Sequence, residues 1–244
     1  MSLSQSKPAL KLDWCNYEAA KYAVEHWHYS RRMPMPPMVR IGVWEGGRFV
    51  GCVIFARGNT PTLGNAYGLG MTQVAELVRV ALTRHETAVS RIIAIALKML
   101  RKAAPELRLV VSFADPAEGH HGGIYQAGGW IYTGESEPSW QWLHNGRWKH
   151  NREITSGAFG NPRQVVNYKV LPKRLPLGKH RYLYPLDAEM RARIAPLAKP
   201  YPKRSLCEQG EIDSAPQTNA ETEGARPICS LPSLDNLQGD DNCA

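Results

Sequence analysis

Ala88–Lys102 places Ile92, Ile93, Ala96, Leu97 and Leu100 on one face, the strongest helical signal in the chain. Runs that read as buried strands flank it, Ala75–Leu82 before and Leu107–Phe113 after. Two apolar strands and a one-sided helix bury their apolar surfaces together in an α/β layer. The order continues on both sides. Tyr17–His26 has Ala19, Ala20, Ala23 and Val24 at helical spacing, and Val39–Trp44 and Arg48–Ala56 read as a hairpin turning at Glu45-Gly46-Gly47. Residues 57–72, rich in Gly, Asn, Pro and Thr, read as a loop. His120–Ala127 reads as a short helix and Trp130–Thr133 as a further strand. The elements run in the order helix, hairpin, strand, helix, strand, helix, strand.

The strand Leu107–Val111 runs into Ser112, Asp115, Glu118, His120 and His121, then through glycines to Tyr125. In open α/β sheets chemistry gathers at the carboxyl ends of strands, where backbone groups are free and side chains converge. A solvated strand-to-helix turn has the same composition. A second polar group closes the first helix, where His28 and Tyr29 precede the cluster Pro34, Pro36 and Pro37. Imidazole and phenol together suit acid–base work or N/O metal ligation. A helix-terminal His also arises for dipole reasons alone.

Charge divides the chain. Residues 205–244 hold eight carboxylates against Arg226, a net of −7, so residues 1–204 carry +15 of a total of +8. That excess suits a polyanion, since neutralised phosphates release counterions; ordinary solubility charge usually gives a smaller imbalance. The acidic stretch lacks periodicity and aromatic residues and is expected to be disordered. From residue 135 to 204 aromatics interleave with cations: Trp140, Trp142, Arg147, Trp148, Lys149, Lys173, Arg174, Lys179 and Arg181. Such a pattern offers stacking surfaces beside phosphate clamps. One-sided core packing accounts for Trp140 and Trp142 equally well. Arg31 and Arg32 are further candidate DNA contacts. The expected organisation is a core over 1–134, a basic aromatic extension over 135–204 packing on the core and contacting DNA, and the tail over 205–244. No apolar run approaches the roughly 18 residues a bilayer span requires. With five scattered cysteines and no signal-peptide core, a cytoplasmic setting is expected. Oligomeric state, with a dimer as one option, is not set by these features.

Six motifs recur together elsewhere in the same order: H-Y-S at 28–30, E-L-V-R at 76–79, S-F-A-D at 112–115, G-x-x-Y-Q-A at 122–127, W-I-Y-T-G at 130–134 and K-H-R-Y at 179–182. In these the chain resembles the phage Mom family of DNA adenine modification proteins, over most of residues 15–185. The element order is also similar to that of the GNAT acyltransferase core, which on its own says nothing of the reaction. The family resemblance implies a GNAT-like fold, a mixed central sheet flanked by helices, and a transferase that puts a carbamoylmethyl (acetamido) group on N6 of adenine in double-stranded DNA. In the bacterial host that would shield phage DNA from restriction. Carried over by motif, the catalytic positions are His28, Tyr29, Asp115 and Tyr125, with Arg79 and Ser112 nearby. It further implies a mononuclear iron through His28, Tyr29 and Asp115, although one His and one Asp fall short of the two-His, one-carboxylate triad; His120 or His121 would have to complete it.

Ordinary GNAT enzymes cradle the CoA diphosphate in a glycine-rich loop before the helix that follows the central strand. Here residues 82–91 read L-T-R-H-E-T-A-V-S-R, without glycine. The donor, CoA-type or another small molecule, is therefore unassigned. Adenine would have to be flipped and stacked, on Trp27, Trp130 or the Trp140–Trp148 group. Asp115 would take or orient the N6 protons, while Tyr125 and His28 position the donor or relay a proton. Arg79 would bind the donor or pair with Glu76 or Asp115. A conventional GNAT N-acyltransferase acting on a protein, RNA or small amine is the alternative, and a DNA-binding module without activity a third.

Overall fold

The computed structural model describes residues 8–58, 62–150, 154 and 167–203. The acidic stretch 205–244, expected as disordered, lies outside the described residues.

Its centre is a seven-stranded sheet built from β1 (Leu10–Trp14), β2 (Met38–Glu45), β3 (Arg48–Ala56), β4 (Val74–Leu82), β5 (Leu109–Ala114), β6 (Ile131–Glu135) and β10 (His180–Pro185). The order is β1-β2-β3-β4-β5-β10-β6, with β4/β5 parallel and every other pair antiparallel. This is a mixed central sheet flanked by helices, as expected. The helix α1 (Tyr17–Trp27) buries Ala20, Ala23 and Val24 against Cys52, Ile54 and Ala81 on one face. On the opposite face α2 (Val89–Ala103) lays Ile92, Ile93, Ala96, Leu97 and Leu100 against Val53, Phe55 and Leu77. Alternation along β3 assigns Ile54 to one helix and Phe55 to the other, as a pleated strand requires. The C-terminal helix α4 (Ala188–Ile194) lies against β5 and β10 through Met190 and Ile194.

Two features open a cleft. First, β4 and β5 pair only from Val74↔Leu109 to Leu77↔Ser112, and then part. Second, the β3/β4 register jumps from Ile54↔Arg79 to Phe55↔Leu77, so Val78 is an extra residue in β4 where the strands separate. A bulge bends its strand and re-aims side chains. The short helix α3 (Gly123–Gln126) faces this gap. It begins later than the expected His120–Ala127 helix because Gly122 is left-handed, at φ +85°, and cannot extend the helix backward.

The expected boundary at residue 134 runs through the sheet. Strand β10, drawn from residues expected as an extension, lies between β5 and β6 with Tyr182 and Leu183 fully buried. The remaining extension residues make a separate three-stranded sheet, β8 (Arg147–His150), β7 (Gln141–His144) and β9 (Lys173–Arg174), in that order. Among the described residues no helix is long and apolar enough to cross a membrane.

Candidate active site

Residues from four chain segments converge where β4 and β5 part. Asn16 caps α1 by accepting from the Ala19 N–H, and the helix ends at His28, which is extended (φ −113°, ψ 135°). The chain therefore turns away at His28 and Tyr29, whose rings lie 4.3 Å apart. The His28 Nδ1 accepts from the Ser30 N–H at 3.1 Å and lies 2.8 Å from Ser30 Oγ. With Nδ1 accepting, the neutral ring carries its proton on Nε2. Burial, then the Arg79 guanidinium and His120, hold the His28 pKa down to about 4, so the ring is neutral at pH 7. It is a hydrogen-bond donor there, not a cation.

Arg79 sits at the bulge. Its Nη1 donates to the Val78 carbonyl at 2.7 Å and its Nε to the Arg32 carbonyl at 3.1 Å. One side chain thus satisfies the carbonyl exposed by the bulge and ties the His28–Arg32 segment to β4. Burial lowers its pKa, opposed by Tyr29 and Glu76.

From β5, Ser112 is completely buried. Its Oγ lies 2.9 Å from the Leu77 carbonyl and 2.8 Å from the Tyr125 hydroxyl. One serine proton cannot serve both acceptors. Either it goes to the carbonyl and Tyr125 donates to Ser112, or it goes to Tyr125 and frees the phenol proton. Burial pushes the Tyr125 phenol up to about 12, so it stays protonated at neutral pH. Tyr125 is held by rings on two sides, Trp130 at 5.1 Å and Tyr182 at 5.1 Å.

Asp115 ends β5. One carboxylate oxygen accepts from the Ala117 N–H at 3.1 Å, and the other meets Lys179 Nζ at 2.9 Å. Burial works to lower the Lys179 pKa, but Asp115 beside it, then Tyr29 and Glu76, outweigh this and raise it. Burial raises the Tyr29 phenol, with Lys179 and Arg79 pulling the other way. The loop after Asp115 is pinned from β10, where the Tyr182 hydroxyl donates to the His121 carbonyl at 2.6 Å. A Cβ on Gly122 would come within 2.3 Å of the Tyr182 ring, so only glycine passes there.

The six residues expected to be catalytic, His28, Tyr29, Arg79, Ser112, Asp115 and Tyr125, thus gather around one gap. Glu76 and Lys179 join them. Lys179 is expected from the sequence only as a DNA contact, and its pairing with Asp115 spans 64 residues, beyond the reach of any local pattern. The other expected DNA contacts divide. Arg31 and Arg32 are exposed at the mouth of the His28 turn. Arg181 instead turns its Nε to Thr133 Oγ1 at 3.2 Å and lies beside Tyr67. Trp130, expected as a possible stacking platform, is 1% exposed and packs on Tyr125 and Tyr184, so no base can reach it. Trp27 packs on Phe49 and Tyr22.

The donor set does not fit an iron as it stands. The ring of His28 offers a protonated Nε2, and the Asp115 carboxylate is held by an ammonium that a metal cation would have to displace. Among the described residues no three His, Cys, Asp or Glu side chains gather around one point. The loop before α2 is also committed. Buried Glu45 accepts from the N–H groups of Glu86 and Thr87 at 2.8 Å each, and from Thr87 Oγ1 at 2.6 Å. An internal carboxylate therefore takes these backbone donors of the loop.

The Mom protein family matches residues 9–203. Methylcarbamoylase mom of Escherichia phage Mu is 27% identical over 205 residues, covering 80% of this chain and 84% of that protein. Among solved structures, a spermidine N-acetyltransferase from Vibrio cholerae aligns over 72% of this chain and 93% of its own, at 12% identity and a TM-score of 0.44. FeeM, an N-acyl amino acid synthase from uncultured soil microbes, aligns over 78% and 97%, at 11% identity and a TM-score of 0.44.

Proposed function

Because the chain belongs to the Mom protein family, we propose that it is a transferase placing a carbamoylmethyl (acetamido) group on N6 of adenine in double-stranded DNA. In a phage-infected bacterium the product would be DNA that restriction nucleases fail to recognise. The observation that carries this reading is the convergence of His28, Tyr29, Arg79, Ser112, Asp115, Tyr125 and Lys179 on the gap between β4 and β5.

The chemistry asks for three things, and the gap has a group for each. Adenine N6 is a weak nucleophile inside a duplex, so the base must be flipped out, at a cost of roughly a few kcal/mol. Tyr29, half exposed beside His120 at a ring distance of 5.4 Å, offers an aromatic edge for it. Forming an N6–carbon bond requires N6 to lose one proton. The Asp115 carboxylate has lone pairs beyond those used by Ala117 and Lys179, and accepts it or orients the amine. The amide or leaving end of the donor needs hydrogen-bond donors that stay put. Neutral His28 supplies Nε2–H, and the Ser112–Tyr125 pair supplies a phenol proton in one of its two arrangements. The donor is a small molecule or CoA-type compound; Glu45 takes the N–H groups of Glu86 and Thr87, so those two donors are closed to a diphosphate.

Mass spectrometry of nucleosides from DNA of cells expressing the protein tests the proposal. An adenosine derivative heavier by an acetamido substituent is expected, and it should vanish with Asp115→Asn. Unmodified adenine in cells with abundant folded protein would end this reading. Tight acetyl-CoA binding with transfer to a peptide amine would replace it with the conventional acyltransferase.

A further inference from the structure

The chain leaves the main sheet at the end of β6 and rejoins it at β10, and the two ends are tied together. The Ser136 N–H donates to the Lys179 carbonyl at 2.8 Å, and the Lys179 N–H to Ser136 Oγ at 3.0 Å. The three-stranded sheet is therefore an excursion whose stem is the residue that holds Asp115.

Register decides which way its side chains point. Trp142 stands opposite Lys149 on β8 and Lys173 on β9, and His144 opposite Arg147. Cross-strand partners share a face and neighbours along a strand alternate. Trp142, Arg147, Lys149 and Lys173 therefore share one face. Trp140, two residues before Trp142, joins them with its ring 4.8 Å from Lys173 Nζ. The other face carries Gln141, Leu143, Trp148 and Arg174. Arg174 is already engaged there, donating to Gln141 Oε1 at 3.0 Å and lying 4.6 Å over Trp148. None of the three strands contains an Asp or Glu.

From this arrangement we infer that the face formed by Trp140, Trp142, Arg147, Lys149 and Lys173 holds the phosphate backbone of duplex DNA beside the cleft. The inference rests on the DNA-modifying reading above and gives it a docking surface. Strands lie about 4.8 Å apart, so Lys149 and Lys173 stand roughly 10 Å from each other with an indole between them. Separated cations around an aromatic surface suit a backbone of repeated phosphates and sugars, whereas a single anionic group needs convergent donors. Arg174, on the opposite face, does not belong to this surface.

Binding of the full-length protein to a fluorescein-labelled duplex oligonucleotide, followed by anisotropy over a range of salt, tests it. Each phosphate contact adds about 0.9 to the slope of log Kd against log salt. The triple variant Arg147→Gln/Lys149→Gln/Lys173→Gln should flatten the slope by about 2 to 3. An equal charge change on the exposed side of α2, Arg91→Gln/Lys98→Gln/Lys102→Gln, should flatten it by less than about 1. The charge-preserving set Arg147→Lys/Lys149→Arg/Lys173→Arg should restore it. Equal effects of the two Gln triples, no effect of the first, or failure of the charge-preserving set to restore the slope would each overturn the inference. Nucleoside mass spectrometry reports separately on the reaction: unmodified DNA with the slope difference intact would remove the methylcarbamoylation reading and leave the docking face standing.

Discussion

Replacing Tyr125 by Phe separates a structural role of the phenol from a chemical one, because the structure sets the two costs far apart. The substitution removes one oxygen and keeps the ring packed between Trp130 and Tyr182. Ser112 loses one neighbour but keeps the Leu77 carbonyl at 2.9 Å as acceptor for its proton. No buried donor is stranded, so the penalty is that of one neutral hydrogen bond, about 1 kcal/mol. In a body of this size that lowers Tm by roughly 2–4 °C, which differential scanning fluorimetry resolves. A hydroxyl that positions or protonates the reacting groups contributes far more, typically about 10²–10⁴ in rate. Modified adenosine, measured in DNA from cells expressing equal amounts of each protein, should therefore fall at least about a hundredfold. Retention of half or more of the wild-type level, with the small drop in Tm present, would refute the catalytic role and leave Tyr125 as a packing residue. Ser112→Ala provides the converse, since it deprives Tyr125 of its partner in a fully buried position and should cost stability as well as activity.

Three further outcomes are expected. His28 is neutral in the folded protein down to about pH 4 but titrates near 6.5 when unfolded, so the unfolded chain takes up the proton first. Its contribution is intact above pH 6.5 and is lost as pH falls toward 4; Tm against pH should show that decline, reduced in His28→Gln. Lys179→Gln should cut modification sharply with little change in Tm, because half of the side chain is exposed and its role is to hold Asp115. Lys179→Arg should recover part of it, and full activity of the Gln variant would discard the ion pair as functional. Asp187 caps α4 by accepting from Met190 at 2.7 Å, and takes Arg108 at 2.8 and 2.9 Å. Its pKa is depressed to about 2, chiefly by Arg108, so this stabilisation is present above about pH 4 and fades as pH falls toward 2. Asp187→Ala should lower stability by roughly 2 kcal/mol without any specific effect on the reaction.

The elements legible in the sequence are those whose burial is periodic. Ile92, Ile93, Ala96, Leu97 and Leu100 announce α2, and the β2–β3 hairpin shows in its apolar runs and its glycine turn. His28 and Tyr29 are readable because they follow α1, and Asp115 because it follows β5, where the chain must leave the layer; Ser112 lies within β5 and Tyr125 within α3, and only their motifs mark them. What could not be read is pairing at long range. Strand β10 is interleaved between β5 and β6 by Tyr182 and Leu183, but along the chain it is a short run among prolines and cations. Strand β1 is an edge strand with mixed burial, and its partner β2 lies beyond a whole helix. The role of Lys179 depends on β10: without the position of that strand beside β5, nothing in K-H-R-Y points to Asp115. In the fold Lys179 meets Asp115 at the cleft and Tyr182 pins the loop above it.

The cleft and the small sheet divide the two tasks that the proposed reaction sets. The cleft is no attractor for a polyanion, because Arg79 and Lys179 are matched there by Glu76 and Asp115. Such internal compensation suits a flipped base, which is uncharged, and disfavours drawing phosphates inward. Attraction must come from cations that have no such match, and the small sheet supplies them without a single carboxylate on its strands. The two parts meet at Lys179, which closes the stem of the excursion through its backbone and holds the Asp115 carboxylate through its side chain. A duplex seated on the small sheet would thus bear on the same residue that orients Asp115. On this arrangement, variants of the docking face should weaken DNA binding while sparing the chemistry of bound DNA, and variants of the Lys179 side chain should do the reverse.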